Sequence, residues 1–348
     1  MRVSPVVFAL VLAGCGGAAG LSRSTLPPRL ETQASGTDRL LIAAHAVDER
    51  VVWVSGAGGT VLRTVDGGQT WTGGVVPGAD TLQFRDVVAF DGQTALALSI
   101  GNGPSSRIVK TDDGGATWRT VWINDDADAF FDGISFWGDR RGVGYSDSVD
   151  GAFVLIETAD GGETWTRRPA GPLPPAAPGE GGFAASGTLV HTRGSRLGWI
   201  ATGNAAPARV LRTDDGGATW TAHATPLVAG EAAGGTSVTF RDDAHGVVVG
   251  GDLGRPDDTL DAVAVTSDGG RTWALGGRLP FPGAAYGAAY VPGTGALLAV
   301  GPGGAGLSRD DGRTWTLLDD RTFWGVAAAS ADAAWLVGTE GRIVRVRL

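Results

Sequence analysis

The sequence predicts an all-β chain folded as one seven-bladed β-propeller whose ring is closed by an N-terminal strand, and three observations predict it. A turn motif recurs six times, as in Thr213-Asp214-Asp215-Gly216-Gly217-Ala218-Thr219-Trp220. Its tryptophans stand at 71, 118, 165, 220, 273 and 315, steps of 42 to 55 residues, which is the signature of a repeat architecture. Between the motifs lie short β-branched and aromatic runs broken by glycine, with no long helical period. Composition agrees, since 348 residues with 58 glycines, 17 prolines and 12 tryptophans suit many short strands joined by turns.

The motif is a tight turn written in side-chain chemistry. The strand before it ends on Thr or Ser, and the strand after it begins at Thr-Trp. Between them Asp accepts backbone N–H bonds and Gly takes positive φ without a Cβ clash. The six pairs are Asp66 and Trp71, Asp113 and Trp118, Asp160 and Trp165, Asp215 and Trp220, Asp268 and Trp273, and Asp310 and Trp315. Each tryptophan offers a large apolar face for burial against the neighbouring repeat. The grammar matches the Asp-box (BNR) repeat, read here as a structural hairpin staple. A calcium loop is disfavoured, because the spaced carboxylates and terminal Glu of an EF-hand are missing. No metal and no cofactor are expected.

Taken in order, residues 1–14 read as a lipoprotein signal peptide: Met1-Arg2, an apolar run from Val3 to Leu12, then Ala13-Gly14. The apolar core is too short to span a bilayer as a stable helix. Leu12-Ala13-Gly14-Cys15 resembles the bacterial lipobox, which implies cleavage before Cys15, a lipid on its thiol, and attachment to the membrane of the cell envelope, at the periplasmic or the outer surface. Cys15 is the single cysteine, so the mature domain has no disulfide. Residues 15–23 read as a lipidated tether and 24–348 as the propeller, expected as a monomer. A net charge of −9 argues against nucleic acid as a partner.

Seven units follow. Their inner strands are read at Leu40–Ala43, Val87–Phe90, Ile134–Trp137, Leu189–Val190, Val238–Phe240, Ala288–Tyr290 and Val326–Ala329. Residues 169–187, rich in Pro and Gly, read as a long loop between blades three and four, because the period resumes on both sides. The seventh unit has no aspartate turn and stops after Ile343 to Val346. Its missing outer strand is expected within Thr25 to Ser35, which would leave no raw edge.

Loops in a propeller alternate between two faces. All six aspartate turns share one face with the first-to-second strand turns. The opposite face carries the blade-to-blade connections, with long loops expected at 120–132, 167–187, 222–236 and 251–261. Variable loops on a rigid scaffold are the usual place for binding. Candidate residues there are Asp125, Asp126 and Asp128, which make that face acidic. Arg85, Asp86, Asp132, Tyr286 and Trp324 stand just before inner strands, where side chains approach the channel. His45, His191, His223 and His245 fall in four different units without ligand spacing, so a zinc site is not expected.

The phrase Arg50-Val51-Val52-Trp53-Val54-Ser55-Gly56, followed by Thr60 to Trp71, is echoed by Ser195 to Gly203 and by Ala333 to Gly338. In this pattern the chain resembles the photosystem II stability and assembly factor family across residues 24–348. The resemblance implies a seven-bladed propeller that binds a protein partner, a membrane protein in that family, and is not a catalyst. Asp-box propellers also build sialidases and some glucanases, so a glycoside hydrolase is the alternative. Sialidase chemistry needs an arginine triad and a glutamate-activated tyrosine. The chain has only Tyr145, Tyr286 and Tyr290, and Phe84-Arg85-Asp86-Val87 is its nearest approach to a Phe-Arg-Ile-Pro phrase. A two-carboxylate mechanism would set Asp86 or Asp132 against an acid of blades five to seven.

Overall fold

The structure, a computed structural model, describes Met1 and residues 27–169, 173–258 and 260–348. The signal segment, Cys15 and the tether expected at 15–23 lie outside the described residues. Seven four-stranded antiparallel sheets form the ring of a seven-bladed β-propeller. Blade one runs outward from the axis as Leu41–Ala46, Val52–Gly56, Thr60–Thr64 and Thr72–Val75. Among the described residues, the only helical element is the short turn Gly103–Ser105.

The last sheet departs from sequence order. It runs Gly325–Ser330, Ala333–Val337, Ile343–Arg347 and then Arg29–Gln33. Arg29 lies opposite Arg347 and Gln33 opposite Ile343, so the closing strand sits inside the expected window. Gln33 also ties the closure to blade one. Its amide donates to Gly67 O at 3.1 Å and accepts the Trp71 indole N–H at 3.2 Å.

Blades adhere through apolar faces. Trp53, Trp199 and Trp335 occupy the same position on their second strands and are fully buried. Two of them also bond onward: the Trp53 indole donates to Asp91 O and the Trp199 indole to Gly269 O, both at 2.9 Å and both in the next blade. A buried aromatic with a satisfied N–H gives both area and orientation.

The six aspartate turns share one bonding scheme. In blade four the Thr213 hydroxyl donates to Asp215 Oδ1 and accepts the Gly217 N–H, while Asp215 takes the Thr219 N–H and hydroxyl. In blade one, Gly67 and Gly68 sit at φ +75° and +86°. The Thr70 hydroxyl and N–H, then the Thr64 hydroxyl, bring the Asp66 carboxyl down to about 2. Five of the six turns lean on their own blade's first-to-second strand turn, as Gly67 N–H does on Arg50 O and Gly216 N–H on Arg196 O, and in blade six the Tyr290 hydroxyl at the end of the inner strand donates to Asp311. All six therefore share one face.

The inner strands of blades two, three and five start at Phe84, Phe131 and Ala233, ahead of the expected Val87, Ile134 and Val238. A β-bulge falls between Phe84 and Asp86, and another between Phe131 and Gly133. The extra residue breaks the alternation that marks a strand in sequence. The expected loops are also shorter, since 120–132 and 222–236 give up their ends to Arg119–Ile123, Phe131–Trp137, Thr221–Ala224 and Ala233–Phe240.

Candidate functional site

The bulge organises the end of the channel away from the aspartate turns. The extra residue is Ile42 in blade one, Arg85 in blade two, Asp132 in blade three and Thr236 in blade five. In blade six Val300 faces Gly287 and also accepts the Tyr286 N–H; in blade seven Val337 faces Gly325 and accepts the Trp324 N–H. Arg85, Asp132, Tyr286 and Trp324 thus hold equivalent positions around one ring. Asp86 lies one place further along its strand.

Three of these residues meet. The Arg85 guanidinium lies 5.1 Å from the Trp324 ring centre, and the Tyr286 ring stands edge-on to Trp324 at 4.9 Å and 75°. All three are half-buried. A stacked guanidinium contributes about 0.5–2 kcal/mol as it loses water. Arg85 is further held by Gln83 Oε1, through Nε at 3.2 Å and Nη2 at 3.0 Å, and by Ala184 O at 2.9 Å.

Ala184 belongs to a feature that sequence reasoning missed. The second half of the loop after blade three runs across the channel. From blade four's side, the Ser186 hydroxyl donates to Tyr286 O in blade six at 2.7 Å. Thr188 Oγ1 donates to Ser237 Oγ in blade five at 2.7 Å. A Cβ on Gly187 would come within 2.7 Å of Asp86 Oδ1 and 2.9 Å of Ala43 Cβ, in blades two and one. The run Gly181-Gly182-Phe183-Ala184-Ala185-Ser186-Gly187 is nearly all small residues, the one signal that could have marked a segment fitted to a narrow channel.

The crossing divides the channel. Toward the aspartate turns it leaves a blind funnel of ≈ 790 Å³, lined among others by His45, Phe90, Phe136, His191 and Tyr290, with Asp86 and Gly187 also in its wall. Burial brings His45 and His191 down to about 4, so both are neutral at pH 7. Asp86 is 2% exposed and its Oδ2 accepts the Ile134 N–H at 2.7 Å; burial still lifts it to about 8. Asp132 is buried beside Asp147 on the neighbouring strand, and burial followed by the Asp147 charge raises it well above the ordinary carboxylate range. The carboxyl that meets Asp132 belongs to its own blade.

The acidic loop is only partly free. Asp125 and Asp128 are exposed, but Asp126 pairs with Arg167 at 2.6 Å and accepts the Asp128 N–H. Nearby, Asp128, Asp147 and Asp150 with Glu180 line a basin of ≈ 400 Å³. Glu180 itself is neutralised by Arg209, whose Nε donates to Oε1 at 2.8 Å. Among the described residues, no group of three or more His, Cys, Asp or Glu is placed to hold a metal ion.

Fold and ring define a seven-bladed propeller with a plugged axis and an aromatic–arginine cluster at one end of it. No family model matches the chain, and no curated protein matches it. Solved structures do. One described as "YCF48 bound to D1 peptide" aligns with a TM-score of 0.64 at 18% identity, over 94% of this chain and 98% of that one. "YCF48 from Cyanidioschyzon merolae" aligns at 0.63 and 15% identity, over 91% and 98%. "Structure of U3-55K" aligns at 0.64 and 12% identity, over 92% and 98%. At such identities the likeness is one of fold.

Proposed function

We propose that this chain is a lipid-anchored, extracytoplasmic propeller scaffold that captures a protein partner and acts like an assembly or stability factor, without catalysis. The Arg85–Trp324–Tyr286 cluster at the axis carries the reading. Arginine and large aromatics are the residues that dominate binding hot spots, and here they sit half-buried on a rigid ring. The likeness to YCF48, one structure of which holds a D1 peptide, supports a peptide segment as the ligand. Exposed Asp125 and Asp128 at the periphery favour a partner with basic flanks. The scaffold works as a monomer, held to the cell envelope through Cys15.

The test is titration of the full chain with synthetic peptides, the D1 peptide and lysine-rich segments among them. Binding is expected to weaken as salt rises, because exposed charges are screened over about 8 Å at physiological ionic strength. Replacing Asp125, Asp126 and Asp128 together by Asn is expected to weaken capture of the lysine-rich peptides several-fold. A panel of sialosides and β-glucans run in parallel decides the rival class. Turnover that disappears in Asp86→Ala or Asp132→Ala would replace the scaffold by a hydrolase.

The anchor is tested separately. Cys15→Ser is expected to move the protein from the membrane fraction to the soluble one. Retention in the membrane with unchanged processing would rule the lipid out.

A further inference from the structure

The segment that crosses the channel is laid over two carboxyls in contact, Asp132 buried and Asp147 half-buried. Asp132 is 1% exposed and meets Asp147 side chain to side chain. Asp147 Oδ1 accepts the Gly182 N–H at 2.7 Å, and the Ala184 backbone bonds to Asp132. The fit is close. A Cβ on Gly181 would stand 2.0 Å from Asp147 Oδ1, and one on Gly182 would stand 2.9 Å from Asp132 Oδ2. Just upstream, the Ser148 hydroxyl donates to Glu180 O at 2.6 Å.

Among the described residues, no cation hydrogen-bonds to either carboxyl. Arg85, on the inner strand of blade two, acts on Asp132 only through space, its N–H groups going to Gln83 and Ala184. Arg209, on the third strand of blade four, is bound to Glu180. Tyr145, on the second strand of blade three, is 0% exposed with a hydroxyl that has no partner, as has Asp132 Oδ2. Tyr286 of blade six faces Arg85. Two carboxyls in contact repel each other when both ionise, which favours one proton shared between them.

We propose that the Asp132–Asp147 pair is a proton-dependent latch on residues 181–188. With one shared proton it holds the segment across the channel; release of that proton to solvent puts two negative charges in contact, frees the segment and joins the funnel to the opposite face. The direction follows from the balance of two effects. Burial raises both groups, with the Asp147 charge raising Asp132 further, and this outweighs the Gly182 and Ala184 N–H bonds, which favour the ionised forms. An acid raised by folding stabilises the latched state at low pH, and that stabilisation is lost as pH climbs through the folded value. Opening would also free the Arg85 N–H now given to Ala184 and the Tyr286 carbonyl now held by Ser186.

Asp86 is the competing titrant, since it lies against Gly187 and burial pushes its carboxyl up to about 8. The experiment therefore separates the two. Hydrogen exchange of the full chain is followed by mass spectrometry from pH 4 to pH 10, with rates corrected for intrinsic exchange. Protection of 181–188 is expected to fall at least tenfold across that range, while the strand Gly246–Asp252 keeps its protection. Asp132→Asn and Asp147→Asn, which leave one charge in the pair, are expected to flatten the response; Asp86→Asn is expected to leave it. Constant protection in the wild type overturns the latch, as does an unaltered fall in both pair variants or a fall abolished by Asp86→Asn. Should one pair variant lose its cooperative melting transition, the other decides.

Discussion

Deleting residues 27–36 is expected to lower the melting temperature by about 10 °C, because the closing strand is held by backbone pairing along its whole length. Five residues, Arg29 to Gln33, face Arg347 to Ile343. At about 1 kcal/mol for each ladder bond the loss is about 5 kcal/mol, and a domain of this size melts about 2 °C lower per kcal/mol. Apolar burial adds little, since the side chains of this strand are mostly exposed, Leu30 included at 39%. The deletion would also leave Ile343–Arg347 as a raw edge, so association at high concentration should accompany it. Gln33→Ala, which removes the bonds to Gly67 and Trp71, is expected to cost about 2–4 °C. Calorimetry of the three chains side by side is the measurement. A deletion that melts with the wild type would make this segment a tether and not part of the ring.

The second large effect concerns binding. Trp324→Ala is expected to weaken capture of a bound peptide by about 30-fold, the loss of a hot spot of about 2 kcal/mol. The substitution removes the ring that Arg85 stacks on and the edge contact of Tyr286. Arg85→Lys is expected to weaken it too, because an ammonium cannot stack on Trp324 and bridge Gln83 and Ala184 at once. Ala218→Ser, exposed on the aspartate-turn face, should bind as the wild type does. Titration calorimetry measures the affinities, and melting curves confirm that each variant is folded. Wild-type affinity in Trp324→Ala would remove the axis from the proposed binding surface.

Much of this fold is legible in the chain because its information is local. Each aspartate turn completes its bonds within eight residues, so Thr213 through Trp220 announce a hairpin without help from the rest of the molecule. Repetition then counts the blades, and the turn missing from the seventh points to a strand borrowed from the other end. The candidate site was legible only in part. Arg85, Asp132, Tyr286 and Trp324 stand out by position, yet two bulges hide that Arg85 and Asp132 lie within strands.

What the sequence determined alone is the period, the turn chemistry and the number of blades, all set by contacts between near neighbours. The tertiary structure decided which ring residues meet and what fills the channel. Arg85 of blade two reaches a tryptophan of blade seven, and Ser186 bonds to a carbonyl 100 residues away. Closing the ring brings such residues together, and a run of Gly, Ala and Ser has no periodicity to show that it will cross the axis. The same closure takes Asp132 out of water beside the half-buried Asp147, and that environment raises both carboxyls above their ordinary range.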